Sequence, residues 1–178
     1  GVIANDARLL GWSAISVLGP MGRDVADTAM LLDACRSRGR VLCLEPNFDP
    51  GRDGICDAIR ASGLPCVAHL PRQEWIGLLR RIRVLVGNSS AGLLEAAALR
   101  LWTVNVGPRQ AGRERARNVI DVPRWTPETI LEGIDRALAS SLPLAGHPFG
   151  DGQSGPRVAA ALASPGFARL TLTKRNSY

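Results

Sequence analysis

Lysine, histidine and aromatic residues are all scarce in this 178-residue chain. Aromatics make up 4% of it, which leaves no interleaved platform on which the bases of a polynucleotide could stack. Lys174 is the one lysine, and His69 and His147 are the two histidines. The four cysteines, Cys35, Cys43, Cys56 and Cys66, form no C-x-x-C pair. With so few histidines, that spacing argues against a zinc centre or a disulfide framework. Free thiols in a reducing cytoplasm are the expectation. No apolar run approaches the roughly 18–20 residues that a membrane span requires. The first residues also lack the basic, apolar and small-residue pattern of a secretory signal. A cytoplasmic location is therefore expected, with no membrane, no nucleic acid, no metal and no cofactor.

What is abundant is small and apolar. Residues of hydrophobic type account for 46% of the chain, and glycine adds 19 more positions. Such a mixture suits helices packed closely on a sheet. The net charge is +6, carried by arginines spread along the chain with one cluster at Arg109, Arg113, Arg115 and Arg117. A small anionic ligand or a solvated basic face accounts for that excess.

Short β-branched runs alternate with longer amphipathic ones. Strands are predicted at 14–18, 40–44, 65–68, 83–86, 103–106 and 119–122, and helices at 24–35, 54–61, 73–80, 91–99, 126–139 and 156–163. The run Val84-Leu85-Val86 is continuously apolar, as in a parallel strand buried on both faces. Thr126-Pro127-Glu128 reads as an N-cap followed by proline at the first helical position. Parallel neighbours need a crossover helix between them, so the fold class is α/β: a Rossmann-like parallel sheet flanked by helices. One domain is expected across residues 1–178, with 1–12 as an N-terminal segment and 164–178 as a tail.

Ligands of such sheets bind beyond the carboxyl ends of the strands, which directs attention to four turns. In Gly87-Asn88-Ser89-Ser90-Ala91-Gly92 the small residues admit a ligand close to the backbone, and a helix start would favour a diphosphate. Ser89 and Ser90 add hydroxyls. Glu95, one turn on, could accept from vicinal ribose hydroxyls; an N-capping serine and a surface glutamate are the alternative. After the next strand, Arg109 and Arg113 could pair with phosphates in bidentate fashion, or form a solvated loop. Asn47, in the turn Glu45-Pro46-Asn47-Phe48-Asp49-Pro50-Gly51, offers a neutral donor and acceptor to a sugar.

These segments carry a resemblance. The run from Val86 to Val122, the turn Pro46-Asn47-Phe48-Asp49-Pro50-Gly51, and His147-Pro148-Phe149-Gly150-Asp151-Gly152 with Pro156-Arg157-Val158 occur in the order found in hydrolysing UDP-N-acetylglucosamine 2-epimerases of the sialic-acid-pathway type. The resemblance spans about residues 15 to 163. It implies the C-terminal domain of a glycosyltransferase-B-type fold, binding UDP or UDP-N-acetylglucosamine. By position, Ser89 and Ser90 would bind the diphosphate, Glu95 the ribose, and Arg109 the phosphates, with Arg113 beside it. Asn47 would lie near the sugar, and uracil would rest against backbone around His69 and Leu70. A complete enzyme of this kind epimerises carbon 2 and releases UDP and N-acetylmannosamine without a cofactor.

Two departures bear on activity. The family places a histidine that contacts the diphosphate where this chain has Gly19, and its acidic catalytic residues belong to an N-terminal domain. No catalytic residue is therefore assigned here, whether the chain acts as an enzyme is open, and the chain alone is expected to be inactive. An N-terminal domain or subunit completing the cleft is the expected partner, with a homo-oligomer also open. The alternative is a non-catalytic nucleotide-sugar-binding or regulatory subunit. Arg100 and Trp102 replace a glycine and a proline of the family, which predicts a strained corner at Arg100 and offers an exposed Trp102 to a partner surface. A second likeness, of Gly19 to Ala34 to amidase-signature enzymes, lacks the required Ser-Ser-Lys arrangement, since the one lysine is Lys174.

Overall fold

The computed structural model describes residues 14–18, 25–48, 51–141 and 146–167. Among them are six strands: β1 (Ala14–Leu18), β2 (Arg40–Leu44), β3 (Cys66–Val67), β4 (Val84–Gly87), β5 (Trp102–Val106) and β6 (Val119–Val122). All pair in parallel, in the order β3-β2-β1-β4-β5-β6. This is the doubly wound arrangement predicted from the alternation of elements, and its order reverses between β1 and β4. The helices are α1 (Val25–Arg36), α2 (Arg52–Ser62), α3 (Arg72–Leu79), α4 (Glu95–Ala98), α5 (Pro127–Ala139) and α6 (Ser154–Ala163). One compact unit extends to Pro148 and a second begins at Phe149; α6 lies in the second and has no buried residue.

Alternation along the strands builds two cores. Val41, Cys43, Val84, Val86, Val104 and Val106 meet Leu32 of α1, Ile59 of α2 and Ile134 of α5 on one face. Leu42, Leu44 and Leu85 meet Leu78 and Leu79 of α3 and Ala96 of α4 on the other. A strand side chain reverses face at every step, so Val41 to Leu44 of β2 and Val84 to Val86 of β4 are apolar throughout, whereas β5 buries the polar Thr103 and Asn105 between its valines. Gly133 shows how close the first layer comes: a Cβ there would lie 3.0 Å from Val104 and 3.1 Å from Val122. α5 begins as expected, with the Thr126 hydroxyl accepting from the Thr129 amide and the Thr129 hydroxyl accepting from the Thr126 amide.

The predicted helix over 91–99 is not continuous. A single 3-10 turn at Ser90–Gly92 is followed by two turn residues and then by the four-residue α4. The Gly92 carbonyl, which a continuous helix would offer to its own backbone four residues on, accepts instead from Thr103 Oγ1 at 3.0 Å and Asn118 Nδ2 at 3.0 Å. A Cβ on Gly92 would sit 2.5 Å from the Thr103 methyl, so only glycine fits.

The corner after α4 is strained, as Arg100 suggested. Its φ is 56°, the one non-glycine left-handed residue among those described. The Arg100 amide donates to the Ala97 carbonyl and the Leu101 amide to the Ala96 carbonyl, the closing pattern normally built around glycine. Trp102 is half-buried: its ring packs on the first core and its indole N–H donates to the Ser141 carbonyl at 2.8 Å. Replacing Arg100 with glycine should raise stability by about 0.5–1 kcal/mol, because a left-handed residue with a Cβ is unfavourable. Urea melts of the Arg100→Gly chain would contradict this if the midpoint fell.

The cysteines are closer in space than in sequence. Cys43 and Cys66 sit opposite each other on β2 and β3, and Cys35 shares the core face with Cys43. Burial pushes the Cys43 thiol up to about 12 and the Cys66 thiol up to about 11, each reinforced by neighbouring ionisable groups. Cys35, Cys43 and Cys56 are buried and Cys66 is exposed. Since the thiolate is the reactive form, a disulfide reagent at pH 8 should react slowly and first at Cys66, with the other three released on unfolding. Prompt reaction of several thiols in the folded chain would contradict that assignment.

Candidate nucleotide-binding site

A cavity of about 240 Å³ opens at the carboxyl ends of β2, β3, β4 and β5. Its walls bring together Asn47 from the turn after β2, His69 and Leu70 from the turn after β3, Ser89 from the turn after β4, and Arg109 from the loop after β5. These five residues were singled out from four separate stretches of sequence. Ser90, Glu95 and Arg113 do not line it. Gly19 and Pro20 lie outside the described residues, as do Asp49 and Pro50.

Each wall is held by local chemistry. After β2, Arg52 of α2 pairs with Glu45, donates to the Pro46 carbonyl at 3.3 Å, and places its guanidinium 5.0 Å from the centre of the Phe48 ring. The pairing offsets the Glu45 carboxylate, which also faces the cavity and would oppose an anion. After β4, the left-handed Gly87 (φ 146°) turns the chain out of the sheet, and the Ser89 hydroxyl accepts from the Ala91 amide at 3.3 Å. The helix start expected here reduces to one 3-10 turn, so little macrodipole is available. The positive charge at the site comes from Arg109.

The arginine-rich loop from 107 to 118 is anchored at both ends. The Gly107 amide donates to the Val122 carbonyl at 2.9 Å, and Gly107 (φ 81°) lies so close under the Trp125 ring that a Cβ would be 3.2 Å from it. Asn118 is buried and donates to the carbonyls of Gly92 and Leu101 at 3.0 and 2.9 Å. Arg115 is a structural arginine. It donates to Asp121 at 2.8 and 3.2 Å and to the Arg113 carbonyl at 2.7 Å, while Asn105 donates to Asp121 at 2.7 Å. Burial works to raise the Asp121 pKa, but the bonds from Arg115 and Asn105 outweigh it and hold the carboxyl below its ordinary value.

Glu95 adjoins the cavity wall through Trp75. Its carboxylate accepts from Arg72 Nη1 at 2.9 Å and from the Trp75 indole N–H at 3.2 Å, and Trp75 itself lines the cavity. An ionised carboxylate has about four acceptor positions, so these two bonds leave capacity for further donors. Trp75 and Asn88 are wall residues that sequence reasoning did not select. Trp75 is half-buried on α3, and its value as a flat surface beside Leu70 is a tertiary fact. Gln110 is buried and donates from Nε2 to the Asn88 carbonyl at 2.6 Å. A larger hollow of about 420 Å³ lies between β6 and α5 and holds none of the predicted residues. Its charges are mixed, Asp121 and Glu132 against Arg124 and Arg136.

The parallel order and the strand succession define a Rossmann-like domain of the glycosyltransferase-B type. Residues 22–163 match the profile of the UDP-N-acetylglucosamine 2-epimerase family, and the chain belongs to that family. It is 38% identical over 143 residues to the hydrolysing UDP-N,N'-diacetylbacillosamine 2-epimerase of Legionella pneumophila, which covers 78% of this chain and 38% of that protein. It is 25% identical over 141 residues to the UDP-N-acetylglucosamine 2-epimerase of Neisseria meningitidis, covering 76% of this chain and 37% of that one. The fold matches a Methanocaldococcus jannaschii UDP-GlcNAc 2-epimerase solved with UDP-GlcNAc and UDP, at a TM-score of 0.65 and 14% identity, over 90% of this chain and 48% of the other. It also matches the S. aureus MnaA–UDP co-structure at a TM-score of 0.68 and 11% identity, over 98% and 50% of the two chains. The chain thus spans about four tenths of these curated relatives and about half of the solved chains.

Asp121 sets an acid response. A carboxyl whose folded pKa is lowered stabilises the fold above its unfolded value of about 4 and loses that contribution as pH falls through the lower folded value. Urea stability should therefore drop on acidification below about pH 4, and less so in Asp121→Asn. Equal acid dependence in the two chains would remove Asp121 from this account.

Proposed function

We propose that this chain binds UDP and a UDP-2-acetamido sugar, as one half of a hydrolysing 2-epimerase. The observation that carries the reading is the convergence of Asn47, His69, Leu70, Ser89 and Arg109 on one cavity. A guanidinium suits a diphosphate because its planar fork can donate two parallel bonds to phosphate oxygens. The Ser89 hydroxyl adds a neutral donor beside it. Glu95, oriented by Arg72 and Trp75, supplies acceptors for vicinal ribose hydroxyls, and the Leu70–Trp75 wall supplies an apolar surface for the base. Asn47 faces the sugar side, where the neutral side chains tolerate an acetamido group, and Ser90 and Arg113, which do not line the cavity, are given no contact in this reading.

In the complete reaction a base removes the proton at carbon 2, the C1–O bond breaks, and UDP leaves with the electron pair. Water then adds across the resulting C1–C2 double bond, with its proton delivered to the opposite face of carbon 2. This half of the cleft stabilises the charge that develops on the departing diphosphate, through Arg109 and Ser89. The residues that move the carbon-2 proton belong to the partner domain or subunit in this reading, so the present chain binds without turning over. N-acetylglucosamine and N,N'-diacetylbacillosamine are the sugars acted on by the Neisseria and Legionella relatives, and both carry the 2-acetamido group that the reaction requires.

Calorimetry with UDP is the direct test. Arg109→Ala is expected to weaken binding by about 10- to 100-fold and Ser89→Ala by about 3- to 10-fold, as for loss of a charged and a neutral hydrogen bond. No heat of binding at millimolar UDP would refute the reading. Turnover of UDP-N-acetylglucosamine by this chain alone would refute the division of labour.

A further inference from the structure

We infer that Gln110 is a positioning residue that couples the phosphate-facing arginine to the serine turn, an inference that rests on the UDP reading of the cavity. Gln110 follows Arg109 in sequence, and Asn88, itself on the cavity wall, precedes Ser89, so the tie joins the two segments that carry Arg109 and Ser89. The Gln110 side chain is 3% exposed, and its Nε2 donates to the Asn88 carbonyl at 2.6 Å. A carbonyl can only accept, which fixes the amide with its NH2 toward Asn88. The Gln110 Oε1 is then buried with no donor among the described residues. Burying a carbonyl oxygen without a donor is unfavourable, and an aliphatic side chain of similar length would avoid it. An amide at this position can perform a geometric task that an apolar residue would not.

That task follows from how the arginine loop is otherwise held. Its ends are tied to β6 and to the turn preceding α4, through the Gly107 amide, Arg115 and Asn118. Those ties fix where the loop leaves and rejoins the sheet. The Gln110 bond instead spans from the loop after β5 to the turn after β4, across the strand boundary that a diphosphate would bridge. Two donors act together on one ligand only when held at a fixed separation. The local turn continues the restraint: the Ala111 amide donates to the Pro108 carbonyl at 2.8 Å and the Arg113 amide to the Gln110 carbonyl at 3.4 Å.

The test compares UDP with uridine, which lacks phosphates, on this chain and on Gln110→Met. The substitution is expected to weaken UDP binding about tenfold, to leave uridine binding unchanged, and to leave the thermal midpoint unchanged or higher. In the Arg109→Ala background it should cost nothing further, because Gln110 acts through Arg109. An unchanged UDP affinity, or a loss that multiplies with Arg109→Ala, would overturn the inference. If Gln110→Met does not fold, the unsubstituted chain decides: its Gln110 side-chain amide resonances should shift with saturating UDP and stay in place with uridine, and the absence of that difference overturns the inference. Failure of the unsubstituted chain to bind UDP removes the cavity reading and this inference together, whereas UDP binding insensitive to Gln110 removes this inference alone.

Discussion

The Gly92 carbonyl is held by two side chains from elsewhere in the chain, Thr103 and Asn118, and the shape of the site follows from that capture. A carbonyl committed to those donors is withdrawn from the helix that the surrounding Ala- and Leu-rich sequence would otherwise form. The segment breaks into a 3-10 turn and a short α4, and Glu95 is turned toward Arg72 and Trp75. The same contact draws β5 so close to the turn that no side chain fits at residue 92. Asn118 closes the arrangement by also binding the Leu101 carbonyl, while its own carbonyl accepts from the Thr103 amide.

A sheet buried on both faces keeps ionised side chains out of its buried strand positions, so the candidate ligand contacts lie on the loops beyond the carboxyl ends of the strands. What supports those loops from beneath is a set of amides. Asn88, Asn105, Gln110 and Asn118 are all buried, and no ionised side chain is buried among the described residues. An amide can satisfy a backbone carbonyl in the interior without the desolvation cost of a charge. Arginine, which carries that cost, is kept at the surface: Arg115 is paired with Asp121, and Arg109 lines the cavity.

The basic character of the chain therefore divides into two roles. Arg38, Arg52 and Arg115 hold carboxylates from other segments and fix loops or helix contacts. Arg109 stands on the cavity wall with Ser89 and Asn47. In the proposed reading the diphosphate is held from this side and the sugar projects toward the partner half of the cleft.

Strand and helix succession was legible in the sequence because the parallel sheet demands apolar runs such as Val84-Leu85-Val86, and these are visible without knowing what covers them. The turn motifs were legible too, since Gly, Pro, Asn and Ser at strand ends have local conformational causes, and Asn47, Ser89 and Arg109 follow directly. Arg100 in place of glycine also marked its own strain, because a left-handed corner depends on one residue's Cβ. The broken helix was not legible, because the Gly92 carbonyl is taken by donors 11 and 26 residues away. Nor were the wall position of Trp75, the internal packing of Trp102, the neighbouring thiols of Cys43 and Cys66, or the Gln110 tie. Each of these depends on which strands are neighbours and how far apart their loops come to lie, distances that only the closed tertiary structure sets.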